Sequence, residues 1–138
     1  MKRFKILLTL FAIAIFFANC KKEQEKEECG CNGIIQFTIP KESPLDGVIG
    51  YKIQLDTLDN FYNDKYWLAY VEPNCDNCVH HFILCNDDIL TSDLKSNILS
   101  GSTITVKFSG IVTETCQKIF APADYTYNHI ILTKIEQK

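Results

Sequence analysis

A mainly β fold is predicted by three features of the chain: three strand-like segments in succession, one stretch of four-residue periodicity after them, and two strand-like segments at the end. With one more strand-like segment in front, that order predicts a small OB-like five-stranded barrel with one short helix and an extra N-terminal strand. A small β-sandwich, built from the same kind of alternating segments, is the alternative.

The extra strand is residues 34–39, where Ile35, Phe37 and Ile39 alternate with Gln36 and Thr38 until Pro40 stops the run. Ile49, Tyr51, Ile53 and Leu55 alternate with Gly50, Lys52 and Gln54, the period of a strand with one buried face. Tyr66-Trp67-Leu68-Ala69-Tyr70-Val71 is a continuous aromatic and β-branched run, and residues 79–85 follow a turn rich in Asn, Asp and Pro. The period then changes. Leu90, Leu94 and Ile98 fall on one side of a short helix, with Thr91 or Ser92 as its cap and Gly101 as its stop. Ile104, Val106 and Phe108 then alternate with Thr103, Thr105, Lys107 and Ser109, and Gly110 marks a bulge or sharp bend. A loop containing Cys116, Pro122 and several tyrosines leads to a last strand, residues 128–135. No repeat or second domain is visible.

Ahead of this domain the chain opens with Lys2, Arg3 and Lys5, then thirteen residues, 6–18, that are apolar except for Thr9. A charged start before a short apolar run is the build of a secretory signal. Thirteen residues also fall short of the roughly 20 that a spanning helix needs, so residues 1–19 are expected to be removed. Phe17-Ala18-Asn19-Cys20 resembles a bacterial lipobox, whose cysteine is acylated and becomes the first residue of the mature protein. Acyl chains hold a protein on a membrane, each buried methylene contributing about 0.8 kcal/mol, which predicts a lipid-anchored protein of the outer membrane or cell surface. Residues 20–33 would then be the lipidated Cys20 and a flexible tether, with seven charges in positions 21–28, leading into one domain at 34–138.

Loss of Lys2, Arg3 and Lys5 moves the formal charge from −3 to −6. Non-specific nucleic-acid affinity comes mostly from neutralising phosphates with Lys and Arg. The acidic balance therefore argues against nucleic acid. It leaves the membrane, reached through the anchor, and an envelope protein or a glycan as the expected partners.

Apart from Cys20 the cysteines are Cys29, Cys31, Cys75, Cys78, Cys85 and Cys116. An exported chain meets an oxidising compartment, so up to three disulfides are expected; six cysteines admit fifteen pairings, and the sequence does not choose among them. Cys75, Cys78, His80, His81 and Cys85 also invite a zinc reading, because two thiolates at that spacing grip one ion. Structural zinc needs thiolates, however, and export favours their oxidation. A redox pair wants its first cysteine at a helix N-terminus, whereas residues 79–85 read as a strand. A c-type haem wants His directly after the second cysteine, where Val79 stands. Structural disulfides are the preferred reading, with His80 and His81 on opposite faces of their strand and no metal or cofactor expected.

No G-x-S-x-G elbow, phosphate-cradling glycine loop or H-E-x-x-H pair occurs, and the chain is not read as an enzyme. Asp56, Asp59, Asn60, Asn63 and Asp64 offer oxygen ligands for calcium, but they lack the ordered spacing of a calcium loop, and turn preference accounts for them equally. OB barrels bind ligands across strands two and three. Tyr66, Trp67 and Tyr70 on those strands form the candidate binding face, with rings able to stack on a sugar or anchor a protein interface, unless they are plain core packing.

Four short motifs complete the reading: Cys31-Asn32-Gly33 soon after Cys20, Ile83-Leu84-Cys85-Asn86, Val106-Lys107-Phe108-Ser109-Gly110, and Ile131-Leu132-Thr133-Lys134-Ile135. Together they resemble small uncharacterised lipoproteins of Bacteroidota, over most of the mature chain. The resemblance implies an OB-like barrel and a bond between Cys31 and Cys85, and it brings no assigned activity. Cys75 and Cys78 lie outside it. The pairing preferred among the fifteen joins Cys31 to Cys85 and Cys29 to Cys116, leaving Cys75 and Cys78 to close their own loop. The functional expectation is a lipid-anchored envelope protein acting as a non-catalytic binding or interaction module. An envelope thiol–disulfide or zinc-binding protein using Cys75 and Cys78, and a structural accessory subunit of an envelope complex, are the alternatives.

Overall fold

A computed structural model describes residues 29–138 apart from 58, 59, 76, 118, 120 and 121. The expected signal peptide, Cys20 and the charged run 21–28 lie outside those residues. The described elements are β1 (Ile35–Ile39), β2 (Leu45–Tyr51), β3 (Tyr66–Val71), β4 (Val79–Leu84), α1 (Ser92–Leu99), β5 (Ile104–Glu114) and β6 (Tyr125–Gln137), with short 3-10 turns at Gly30–Asn32 and Asp87–Ile89.

Strands β2 to β6 close into a ring in the order β5-β2-β3-β4-β6, with β6 returning to β5. Every pairing is antiparallel except β4 with β6, which are parallel. That is the OB-like barrel, with its helix between the third and fourth ring strands. The extra strand β1 lies outside the ring and pairs with β5 alone.

How β1 comes to be outside is visible in the register. Ile104 to Phe108 of β5 face β2, and Gly110 to Thr113, further along the same strand, face β1. The two short strands therefore lie end to end along β5. Pro40 and Pro44 separate them, since neither has an N–H to give to the ladder. The Ser109 hydroxyl donates to the Pro40 carbonyl at 3.0 Å and holds the interruption in place. Between Ser109 and Gly110 the β5–β6 register shifts, the bulge expected at Gly110.

Inside the ring, Ile49, Leu68, Phe82, Val106, Phe108, Val112 and Ile130 pack with almost no exposure. Leu90, Leu94 and Ile98 join the same core. The Thr91 hydroxyl caps α1 by accepting the Leu94 N–H at 3.3 Å. Gly101, at φ +92°, stops the helix by donating its N–H to the Ile98 carbonyl at 3.0 Å.

Two strand boundaries and one burial pattern differ from what the alternation predicts. Strand β2 spans Leu45–Tyr51 instead of running on through Leu55, and Ile53 and Leu55 are 62% and 70% exposed. Pairing with β5 begins at Leu45, so Asp46 and Gly47, poor strand formers in isolation, are carried by the ladder. Strand β6 begins at Tyr125, three residues earlier than expected, because it runs beside β4 from Val79 onward. In β1 only Ile39 is buried; Ile35 and Phe37 are 60% and 44% exposed, since the strand sits outside the closed ring.

Residues 29–33, expected in the tether, are packed against β5 and β6 through the turn Gly30–Asn32. Disulfides join Cys29 to Cys116 and Cys31 to Cys85, with Cα atoms 5.0 and 5.5 Å apart. Gly30 between them is buried at φ +73°, a conformation that disfavours any side chain. Its carbonyl accepts the buried Thr113 hydroxyl at 2.7 Å. Just after Cys85, the Asn86 amide exchanges two hydrogen bonds with Leu132, at 2.9 and 2.7 Å, and so continues the β4–β6 ladder with a side chain. The third disulfide, Cys75–Cys78, closes the β3–β4 hairpin on itself.

Loop length separates the bonds energetically, because a disulfide stabilises chiefly by restricting the unfolded chain. The bond from Cys31 spans 54 residues and that from Cys75 spans 3. Cys31→Ser/Cys85→Ser should lose about 2–5 kcal/mol in denaturant unfolding, and Cys75→Ser/Cys78→Ser at most about 2 kcal/mol.

Candidate functional site

Cross-strand register sorts the barrel's outer surface into rows. Gly50, Trp67, Ile83 and His129 stand opposite one another across β2, β3, β4 and β6. The next row is Val48, Ala69, His81 and Tyr127, and beyond it Val71, Val79 and Tyr125. Trp67 lies flat over Gly50, where a Cβ would come within 2.5 Å of the indole. Gly50 is therefore the residue that lets a tryptophan seat on this sheet.

Residues 60–65, ahead of β3, fold down over the first two rows. Phe61 is 2% exposed and meets Tyr127 and His129 edge-on at 5.2 and 6.3 Å. Tyr62 meets Trp67 at 6.0 Å and His81 at 5.7 Å, and His81 stacks on Tyr127 at 4.9 Å. The result is a second, aromatic core outside the barrel. Polar contacts hold the loop in that position. The Asn63 amide pairs with the Asp56 backbone, accepting its N–H at 3.0 Å and donating to its carbonyl at 2.6 Å. The Tyr51 hydroxyl donates to the carboxylate of Asp64, which sits at φ +56°. That bond raises the Tyr51 pKa. Lys65 donates to the Phe61 carbonyl at 3.1 Å.

A bond between loops extends the arrangement. The Gln117 amide donates to Asn60 at 2.6 Å, tying residues 115–117 to residues 60–65. Beside that tie, where β5 ends and β6 begins, a cleft of about 350 Å³ opens. Its lining includes Gln36, Glu114, Thr115, Gln117, Tyr125 and Asn128.

The expected binding face is divided by the barrel wall. Leu68 points into the core, so Tyr66 and Tyr70, on its side of β3, pack against the core, and Trp67 lies on the outside. Tyr66 meets Tyr51 edge-on at 4.8 Å, and Tyr70 stacks on His80 at 5.5 Å. The three rings form no common surface, because consecutive strand residues point to opposite faces. Tyr125 and Tyr127, whose Tyr-Thr-Tyr alternation is a strand signal, lie at the start of β6, and Gln117 lies in the loop before it.

The zinc arrangement does not assemble. Cys75 is bonded to Cys78 and Cys85 to Cys31, so none of these sulfurs is a thiolate. His80 turns inward, sharing a hydrogen bond of 2.8 Å with Thr126 and lying 3.6 Å from Glu72, whereas His81 is in the outer aromatic core. Among the described residues no group of three or more His, Cys, Asp or Glu gathers around a point that could hold a metal. Of the calcium candidates, Asp59 lies outside the described residues. The others make the loop contacts above, with Asp56 lying 3.7 Å from Lys52.

No protein-family model matches this chain, and no curated protein matches it.

Burial makes His129 in the aromatic core sensitive to pH. His129 lies partly buried under Phe61, and desolvation, reinforced by the charge on Lys65, lowers its pKa below the usual 6.5. Folding therefore favours the neutral ring, and the unfolded chain binds the proton more readily. The stabilisation is complete above pH 6.5 and is lost as the pH falls from there through the folded-state pKa. Denaturant unfolding between pH 7.5 and 5 should show that fall, and His129→Gln should flatten it.

Proposed function

We propose that this chain is a lipid-anchored envelope protein whose barrel is a non-catalytic binding module, with the cleft between residues 115–117 and β6 as its binding site. The cleft carries the reading. About 350 Å³ is within the range of small-ligand sites, and such sites combine apolar or aromatic walls with a few placed polar groups. Its walls are held by strong constraints: Cys116 is bonded to Cys29, Gln117 to Asn60, and Tyr125 begins a strand paired on both sides. Preorganisation of this kind lowers the entropy cost of binding.

The anchor is supported by the sequence around Cys20. If Cys20 carries the lipid, the nine steps to Cys29 reach at most roughly 30 Å, which would keep the cleft near the membrane that holds it. Cys75–Cys78 sustains a second reading, a thiol–disulfide role, because this bond closes only its own hairpin and ties no distant elements together.

Two measurements test the proposal. Cys20→Ser should move the protein from the membrane pellet to the soluble fraction; retention in the pellet would remove the anchor. Hydrogen exchange of the full protein mixed with cell-envelope extract should show new protection at residues 114–117 and 125–128, and protection confined elsewhere would remove the site.

A further inference from the structure

We infer that the cleft takes a neutral saccharide; this rests on the reading of the cleft as the binding site and names its ligand class. Gln36, Gln117 and Asn128, which carry amides, and Thr115 and Tyr125, which carry hydroxyls, are among the lining residues. An amide pairs a donor and an acceptor at fixed spacing, and a hydroxyl is both. The natural complement is a ligand whose own groups are all donor and acceptor at once, which is what neighbouring sugar hydroxyls are. Glu114 adds a carboxylate, which accepts from two hydroxyls and repels an anion such as phosphate. Tyr125, Tyr127 and Ile119 supply the apolar component against which the C–H face of a sugar ring packs.

Several lining residues are also held by neighbouring groups. Gln117 is oriented by its bond to Asn60, and the Thr115 hydroxyl accepts the Gln117 N–H at 3.3 Å. Tyr127 is fixed by its stack on His81, and Tyr125 lies against the same imidazole at 5.5 Å. Gln36 reaches the cleft from the bulge in β1, where the β1–β5 register shifts between Ile35 and Phe37. That gives the exterior strand a role: its irregularity places Gln36 in the lining.

Calorimetric titration and saturation-transfer NMR of the Cys20→Ser protein with maltotriose, cellotriose, chitotriose and mannotriose test the inference, with trialanine and inorganic phosphate as contrasting probes. At least one trisaccharide should bind, and neither contrasting probe should. Gln117→Ala and Asn128→Ala should each weaken binding roughly 3- to 10-fold, the range for one lost hydrogen bond. Tyr125→Ala should abolish it. If Tyr125→Ala fails to fold, Tyr125→Phe, which keeps the ring and removes one hydroxyl, should show the smaller loss. Binding of trialanine alone, phosphate alone or no probe would overturn the inference, as would saccharide binding that the cleft variants leave unchanged. If envelope extract still protects residues 114–117 and 125–128 while no saccharide binds, the ligand class is wrong and the site stands. Loss of both signals removes both.

Discussion

Strand β5 has three neighbours, and closure of the barrel depends on how it accommodates them. One edge is filled along its length by β6, and the other is divided between β2 and β1. A strand paired so heavily must bend if the ring is to close, and the shift at Ser109/Gly110 supplies the bend. A Cβ at Gly110 would lie 2.6 Å from the Ile131 carbonyl, so the two strands approach there as closely as backbone allows. The inward side chains of β5 on both sides of the bend, Val106, Phe108 and Val112, are fully buried, so bend and core are one feature.

A closed ring of this size solves one problem and leaves another. It removes most exposed edges, but a chain entering from outside must still be fastened to it. Here the entry turn is secured by two disulfides, a buried hydrogen bond from Thr113 and a glycine in the left-handed region. The bond to Cys116 has a further effect, since it also anchors the segment that forms one wall of the cleft. Entry point and candidate site are therefore mechanically linked.

The outer aromatic core makes the same connection from the other side. Phe61 and Tyr62 rest on rows of side chains contributed by β3, β4 and β6, and Asn60, next to them, holds Gln117. Residues 60–62 are thus positioned by packing against the barrel wall, and Gln117 is held to them by its bond to Asn60. The wall facing those loops is aromatic where a soluble barrel's exterior is ordinarily polar.

Periodicity and turn chemistry determined the class of fold, the order of its elements, the helix with its Thr91 cap and Gly101 stop, and the bulge at Gly110. These are local properties, written in two- and four-residue repeats and in residues with special backbone preferences. Tertiary structure alone decided which apolar residues are buried: Ile35 and Phe37 alternate as well as any core strand, yet they lie outside a ring that closes without them. It also separated Tyr66 and Tyr70 from Trp67, and brought Gln117 to Asn60 across 57 positions of chain. A cleft formed where distant segments meet depends on ring closure and loop packing, and neither leaves a periodic trace in the sequence.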